Sequence, residues 1–144
     1  MLKFFKSKET VQTILFVCVE NAGRSQMAEG FFKKYAPSNY IAISAGTKPA
    51  SNINPVVIEA MNEVDIDISS QMSKDITEDM MRNSVKIVNM GCMEKESCPT
   101  LFLHNVLDWN LEDPKGRPIE DVRAIRDEIE QRIKELVAGL KASQ

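Results

Sequence analysis

The sequence predicts an α/β fold: a single-domain, three-layer sandwich in which helices flank a four-stranded parallel sheet. Short apolar runs typical of buried strands alternate with segments whose apolar residues recur at intervals of three and four, as in amphipathic helices. The chain has 144 residues, which suits one domain with a hydrophobic core of its own. We therefore expect one domain over residues 1–144, with residues 1–12 as an extension.

The first half of the chain contains two pairs of a strand and a helix. Residues 13–17 (TILFV) are continuously apolar and rich in β-branched and aromatic side chains, which predicts a strand buried on both faces. Residues 25–35 are predicted as a helix, because their apolar side chains recur at helical spacing. Residues 40–44 predict the second strand, and residues 55–64 predict the second helix with Pro55 in its first turn.

The second half is predicted to complete the sheet and to end in a long helix. A short helix at residues 79–81 precedes the third strand at residues 85–90, and residues 104–108 are a weaker fourth strand. Residues 119–140 have the pattern of an amphipathic helix with a charged outer face. Ligands of such sheets bind beyond the carboxyl ends of the strands, so the loops that follow the strands are expected to form the site.

Composition and charge exclude several classes of function. The 18 basic and 21 acidic residues give a formal net charge of -3, and no basic stripe suited to nucleic acid is present. No stretch of about 18 apolar residues predicts a membrane helix, and the first residues lack the pattern of an export signal. We expect a cytoplasmic protein, a monomer, with no nucleic-acid or membrane partner.

The three cysteines indicate thiol chemistry or metal binding more than a disulfide scaffold. Cys18 follows the first strand, whereas Cys92 and Cys98 are separated by five residues. Taken alone, Cys18 is better explained as a small buried residue that ends a strand, and its place between a strand and an amphipathic helix is what favours a functional role. For Cys92 and Cys98, redox chemistry ranks first and incidental loop cysteines rank second. A metal site that includes His104 ranks last, because the spacing matches no standard zinc signature and a fourth ligand is missing.

The segment CVENAGRS, residues 18–25, joins the first strand to the first helix. Backbone N–H groups in such a loop can form a nest beside the positive end of the helix, which is suited to an oxyanion. A cysteine at this position, with Arg24 and Ser25 nearby, is expected to have a lowered pKa and to act as a nucleophile. The planar guanidinium of Arg24 can bind two oxygens of a tetrahedral anion.

The segment CVENAGRSQMAEG resembles the active-site loop and helix of the low-molecular-weight tyrosine phosphatases and of the related thioredoxin-coupled arsenate reductases. The resemblance extends to SAGT at residues 44–47, to IEAMNEVDIDISSQMSKDI at residues 58–76, and to the loop containing Cys92 and Cys98-Pro99. It also includes WNLEDP and the tail RDEIEQRIKEL. Nearly the whole chain after about residue 13 is similar to the arsenate-reductase branch.

The resemblance implies a role for each site residue. Cys18 is the nucleophile, Arg24 and Ser25 contact the bound anion, and Asp113 is the general acid. The anion, arsenate or phosphate, is held by the loop residues Val19, Glu20, Asn21, Ala22, Gly23, Arg24 and Ser25. Cys92 and Cys98 then carry out a thiol relay that ends in a disulfide, which thioredoxin or a similar dithiol partner reduces.

The resemblance also implies a potassium ion, although no cofactor is expected to be required. Some arsenate reductases of this type hold the ion near the loop, and the matching residues here are Asn21, Glu29, Ser44 and Asp75. Oxygen ligands of this kind suit a hard cation. Each of these residues also has an ordinary structural interpretation, as a loop brace, a solvated helix residue, a loop hydrogen-bonding residue and a turn residue, respectively.

Four features depart from the family pattern. Glu20 replaces a glycine and brings a carboxylate to a site meant for an anion, and Gly23 replaces a loop cysteine. Cys92 and Cys98 are separated by five residues instead of six. Lys115 stands where the tyrosine phosphatases usually place an aromatic residue, which favours a small anion over a phosphopeptide.

Three functions therefore remain open. Arsenate reduction is favoured because only this reaction uses all three cysteines. Hydrolysis of phosphate monoesters by a protein tyrosine phosphatase is the alternative, and it needs only Cys18, Arg24 and Asp113. A noncatalytic oxyanion-binding module is the third candidate, in which Glu20 has abolished catalysis.

Overall fold

The computed structural model describes residues 10–90 and 106–142 of the chain. Eight helices and strands lie in these ranges: β1 (Gln12–Cys18), α1 (Arg24–Tyr35), β2 (Tyr40–Gly46), α2 (Pro55–Asn62), α3 (Glu78–Asn83), β3 (Ser84–Asn89), β4 (Val106–Asp108) and α4 (Ile119–Ala142). Residues 1–9, which make up most of the predicted extension, lie outside the described residues. The division of the chain at residue 12 therefore stays a prediction.

The four strands form one parallel sheet in the order β2-β1-β3-β4. This confirms the predicted fold class. The chain leaves β1 for β2 on one side and later returns to β3 on the other side, so the strand order changes direction next to β1. Such a point is where parallel α/β sheets bind their ligands, and Cys18 is the last residue of β1.

Helices cover both faces of the sheet. Ile14 and Phe16 of β1 point to one face, where they belong to the large core cluster formed with α1, α2 and α4. Leu15 and Val17 point to the opposite face and pack in a smaller cluster with residues of α3 and β3. All four side chains are fully buried, which confirms the two-sided burial predicted for this apolar run.

The predicted element bounds differ from the observed ones by a few residues. One such difference concerns α2, which ends at Asn62 and not at the predicted residue 64. The chain turns immediately afterwards, because Val64 donates to the Met61 carbonyl and Asp65 adopts the left-handed conformation with φ 63°. The first part of the predicted fourth strand, residues 104–105, lies outside the described residues.

The terminal helix α4 closes the large core. Its buried side chains recur every three or four residues, as its amphipathic pattern predicts. They are Val122, Ile125, Arg126, Ile129, Ile133, Val137 and Leu140. With 24 residues α4 is a long helix, but it contains many charged residues. Within the ranges 10–90 and 106–142, no helix combines the length and the apolar character needed to cross a membrane.

Candidate active site

The loop of residues 18–25 leaves the sheet at the end of β1 and enters α1 at Arg24. Cys18 is 2% exposed, and Asn21 and Ser25 are fully buried. The sulfur therefore lies at the bottom of the loop and not on an open surface. A polar loop that is buried to this extent needs hydrogen bonds for its backbone and its side chains.

The backbone carbonyls of this loop accept hydrogen bonds from a neighbouring segment of the chain. Those of Cys18, Val19, Glu20 and Ala22 accept hydrogen bonds from backbone N–H groups in the segment 47–54, over distances of 2.8–3.3 Å. The C=O and the N–H of one planar trans peptide point in opposite directions. The N–H groups that follow these carbonyls are therefore turned toward the inside of the loop, as the predicted oxyanion nest requires.

Gly46 allows the two strand ends to approach each other closely. It pairs with Cys18 in the register of β1 and β2. A Cβ atom at this position would overlap the carbonyl oxygen of Val19 and would lie 2.9 Å from the backbone nitrogen of Asn21. The glycine of the SAGT segment is therefore needed to let the loop of residues 18–25, which we call the nucleophile loop, pack against β2.

A chain of hydrogen bonds leads to the Cys18 sulfur. The backbone N–H of Lys74 donates to Asn21 Oδ1 at 2.8 Å, and Asn21 Nδ2 donates to Ser25 Oγ at 2.7 Å. Ser25 Oγ lies 2.9 Å from Cys18 Sγ, and because it already accepts from Asn21, its own proton is available for the sulfur. The Asn21 backbone N–H donates to the sulfur at 3.2 Å. Both donors stabilise the thiolate form of Cys18.

The guanidinium of Arg24 is held in one orientation. It is 5% exposed, and its Nη1 donates to the carbonyls of Met90 and Leu111 at 3.2 and 3.1 Å. These carbonyls lie just after β3 and after β4, so the sheet topology sets the direction of the side chain. The other terminal nitrogen, Nη2, lies 3.5 Å from Asp113 Oδ2. Asp113 thus lies beside Arg24 at the mouth of the loop, and its role as general acid stays a prediction.

The segment of residues 112–117, which we call the acid loop, packs directly against the nucleophile loop. A Cβ on Gly23 would lie 2.8 Å from the ring of Pro114, so this glycine allows the contact. Lys115 Nζ lies 2.7 Å from Glu20 Oε2, and the Lys115 backbone N–H donates to Asp113 Oδ1 at 3.0 Å. The two loops enclose a cavity of about 290 Å³ above Cys18. Its lining includes Cys18, Glu20, Ala22, Gly23, Arg24, Asn52, Asn54, Asp113 and Lys115.

Residues 13–144 match the low molecular weight phosphotyrosine protein phosphatase family. The chain belongs to this family. It is 41% identical over 128 residues to an arsenate reductase of Bacillus cereus (strain ATCC 14579 and its equivalents), a match that covers 88% of this chain and 94% of the relative.

Two solved structures of the family have the same fold. A thioredoxin-dependent arsenate reductase from Corynebacterium glutamicum superposes with a TM-score of 0.79 at 37% identity, over 99% of this chain and 68% of that one. An arginine phosphatase from Geobacillus stearothermophilus superposes with a TM-score of 0.83 at 26% identity, over 92% of this chain and 95% of that one. The resemblance inferred from the sequence is therefore confirmed.

Among the residues predicted to hold potassium, Glu29 and Ser44 lie together in this phosphatase-family chain. Glu29 is 6% exposed and its Oε1 accepts from Ser44 Oγ at 2.5 Å. Its carboxylate also lies 2.8 Å from Lys33 Nζ and 3.8 Å from Lys74 Nζ. Burial lowers the pKa of the Lys74 ammonium, and the charge of Glu29 opposes this effect. Two ammonium groups thus already neutralise this carboxylate.

The other two predicted ligands contact the chain in different ways, Asn21 through its side chain and Asp75 through its backbone. The oxygen of the Asn21 side chain accepts from Lys74, and Asp75 forms a backbone bridge with Gly46. The charge of the Glu29 carboxylate is therefore balanced by ammonium groups of the chain, and potassium binding stays a prediction of the resemblance. No step of the chemistry described below passes through such an ion.

Gln26 is a site residue that sequence reasoning missed. Its side chain is fully buried, and its Nε2 donates to the carbonyls of Asn21 and Met72, both at 2.9 Å. Gln71 donates in turn to Gln26 Oε1 at 2.7 Å. Gln26 thereby ties the family's nucleophile loop to the segment before Lys74. The one available signal was a polar residue between Ser25 and the apolar Met27, which is too common a pattern to indicate a role.

The predicted relay cysteines cannot be placed relative to Cys18. Cys92, Cys98 and His104 lie outside the described residues. The relay and the less favoured metal site therefore stay predictions from the sequence. Among residues 10–90 and 106–142, no cluster of three or more His, Cys, Asp or Glu side chains is arranged to hold a metal ion.

Proposed function

We propose that this member of the family is an arsenate reductase that binds arsenate inside the loop of residues 18–25. The observation that carries the proposal is the setting of the Cys18 sulfur, which is buried at the bottom of this loop 2.9 Å from Ser25 Oγ. The Bacillus cereus and Corynebacterium glutamicum relatives are arsenate reductases, which supports the same function here.

The binding step uses the inward N–H groups of the loop and the guanidinium of Arg24. Arg24 is fixed by two carbonyls before any anion arrives, so little reorganisation is needed when an anion binds. Its planar fork can contact two oxygens of arsenate together. Inorganic phosphate has the same shape and charge and is expected to bind in the same place.

The first chemical step is attack of the Cys18 thiolate on arsenic. A sulfur–arsenic bond forms, one arsenic–oxygen bond breaks, and the departing oxygen leaves as water after it has been protonated. We assign the proton donor as Asp113, whose carboxyl group lies beside Arg24 at the mouth of the cavity. Arsenic remains in its oxidised state in this adduct.

The second step transfers two electrons. The Cys92 thiolate attacks the Cys18 sulfur, a Cys18–Cys92 disulfide forms, and the electron pair of the sulfur–arsenic bond leaves with arsenic as arsenite. Cys98 then attacks Cys92, which releases the Cys18 thiolate and leaves a Cys92–Cys98 disulfide. Thioredoxin or another dithiol partner reduces this disulfide. This part of the proposal is supported by the three cysteines of the sequence and by the thioredoxin-dependent relative.

The setting we propose is a cytoplasmic monomer that requires no cofactor and binds neither nucleic acid nor membranes. The net charge of -3 disfavours contact with nucleic acid or an anionic lipid surface. Two thiols that must be reduced in each cycle also suit a reducing compartment. The mass in solution, measured by light scattering, tests the monomer, and a mass of twice 16.2 kDa would contradict it.

Disulfide mapping tests the reductase directly. The fully reduced protein is incubated with arsenate, or with phosphate as the control, and its peptides are analysed by mass spectrometry. We expect a Cys92–Cys98 disulfide with arsenate only. Cys98→Ser should trap Cys18–Cys92, and Cys18→Ser should form neither disulfide. Three reduced thiols after exposure to arsenate would overturn the proposal.

Phosphatase activity is the second candidate, and the position of Asp113 beside Arg24 favours it. An acid at this place can protonate the leaving oxygen of a phosphate ester while Cys18 forms a cysteinyl phosphate. Cys92→Ser separates the two functions, because it should retain hydrolysis of p-nitrophenyl phosphate and lose reduction of arsenate. If the unmodified protein shows neither activity, the noncatalytic oxyanion-binding module becomes the better description.

Potassium binding at Asn21, Glu29, Ser44 and Asp75 stays a prediction of the resemblance. It is tested by the melting temperature in equal concentrations of KCl and NaCl. A higher melting temperature in KCl, abolished by Glu29→Gln, would support the ion. Equal melting temperatures would agree with the two ammonium groups that contact Glu29.

A further inference from the structure

Glu20 places a carboxylate at the rim of the anion cavity. It belongs to the nucleophile loop, its side chain is 36% exposed, and it contributes to the cavity lining together with Cys18 and Arg24. A carboxylate so close to a bound phosphate or arsenate would repel the anion if its charge were not balanced. The chain therefore needs a cation at this rim if its site is to bind anions well.

Lys115 supplies that cation from the opposite wall of the cavity. Its Nζ lies 2.7 Å from Glu20 Oε2. The hydrogen bond and the charge of Glu20 raise the pKa of Lys115, so the ammonium stays charged throughout the neutral range. The same residue donates its backbone N–H to Asp113 Oδ1, and its neighbour Pro114 rests against Gly23. Lys115 is thus connected both to the rim carboxylate and to the proposed acid.

We propose that Lys115 is a positioning residue that neutralises Glu20 and joins the acid loop to the nucleophile loop, and that this ion pair sets the affinity of the site for small oxyanions. The inference deepens the proposed function, because it rests on the same anion site. It also accounts for two departures from the family pattern at once, since a carboxylate replaces glycine in one loop and lysine replaces an aromatic residue in the other.

The ion pair of Glu20 and Lys115 should affect the affinity for anions and not the stability of the fold. An exposed ion pair contributes little to the stability of a protein, because solvent screens it and both side chains lose freedom. A doubly charged anion at the adjacent site, however, interacts with every unbalanced charge on the rim. Replacing either partner should therefore change phosphate affinity while the melting temperature stays almost the same.

The test is a double-mutant cycle in the Cys18→Ser background, which prevents chemistry and allows phosphate binding to be measured by calorimetry. Lys115→Met leaves Glu20 unbalanced and should weaken phosphate binding by about three- to tenfold. Glu20→Gln leaves Lys115 unbalanced and should strengthen it. The double variant should return to within about twofold of the parent, which a purely structural role of Lys115 would not produce.

Two controls separate charge from other effects. Lys115→Arg should keep the parent affinity, and Lys141→Met, which removes a lysine from the last turn of α4, should change nothing. The loss of phosphate affinity in Lys115→Met should also become smaller at high ionic strength, because salt screens the unbalanced carboxylate of Glu20.

The outcomes distinguish this inference from the proposed function. If the parent binds phosphate and all four members of the cycle bind it equally, the role of the ion pair is wrong while the anion site stands. If Glu20→Gln fails to restore binding to Lys115→Met, the charge argument is likewise overturned. If the parent binds no phosphate at all, the oxyanion site itself is wrong, and with it both proposals.

Discussion

Ser25 Oγ lies 2.9 Å from Cys18 Sγ, where the loop that follows β1 enters α1. The hydroxyl accepts from the Asn21 side chain, so its own hydrogen is directed toward the sulfur. This order of donors and acceptors makes the loop suited to a thiolate, because a neutral thiol gains less from two converging donors than a charged sulfur does.

Ser25→Ala should slow the reaction of Cys18 with iodoacetamide at neutral pH by about tenfold, since one stabilising donor to the thiolate is lost. The rate of alkylation as a function of pH measures this effect, and the rise of the rate should move to higher pH. Ser51→Ala, at an exposed position in the neighbouring segment, is the matched control. An unchanged pH profile would show that the hydroxyl does not support the thiolate.

Arg24→Lys should weaken phosphate binding by about a hundredfold, although the charge is retained. A lysine offers one ammonium group, so it cannot contact the carbonyls of Met90 and Leu111 and at the same time present a planar fork to the anion. Calorimetry with phosphate measures the change. A loss smaller than about threefold would mean that only the charge at this position matters.

Gly46→Ala should destabilise the protein by about 1–3 kcal/mol, because the added methyl group overlaps the Val19 carbonyl and pushes the nucleophile loop away from β2. Gly139→Ala is the matched control: its Cβ meets nothing within 4 Å, and alanine is the better residue in α4. That variant should be more stable by about 0.5–1 kcal/mol. Denaturant unfolding measures both, and equal effects would contradict the packing argument.

Glu63 should make folding stability depend on pH in the acid range. Hydrogen bonds from Arg123, and then from Arg126, lower the pKa of its carboxyl group from 4.5 to about 2. A group with a depressed pKa in the folded state contributes its full stabilisation above its unfolded pKa and loses it as the pH falls toward the folded one. The stabilisation by Glu63 should therefore be complete above about pH 5 and should disappear between that pH and about pH 2.

The measurement for Glu63 compares the melting temperature of Glu63→Gln with that of the unmodified protein across this range. The difference should be largest near neutrality and should vanish toward pH 2. Glu128→Gln is the control, because it removes an exposed carboxylate that pairs with Arg132 within α4. The melting temperature of this variant should differ less from that of the unmodified protein. A difference for Glu63→Gln that stays constant with pH would show that the two arginines do not depress the pKa.

Much of the fold could be predicted from the sequence because the deciding patterns are local. The uninterrupted apolar run of residues 14–17 indicates burial on both faces of the strand, and the spacing in α4 indicates a single buried stripe. The end of α2 was less predictable. Val64 continues the helical pattern of the sequence, but α2 ends at Asn62 and the chain turns, with Asp65 in a left-handed conformation that the pattern does not encode.

By itself, the sequence determined the order of strands and helices and the neighbourhood of Cys18, Arg24 and Ser25, since these residues are joined by a short stretch of chain and no long-range contact is needed to bring them together. Tertiary structure alone decided that Gly46 admits the loop, that Glu29 contacts two lysines, and that Lys115 balances Glu20. The reason is physical: Glu20 and Lys115 are 95 residues apart, and only the packing of the sheet and its loops sets the distance between their charges.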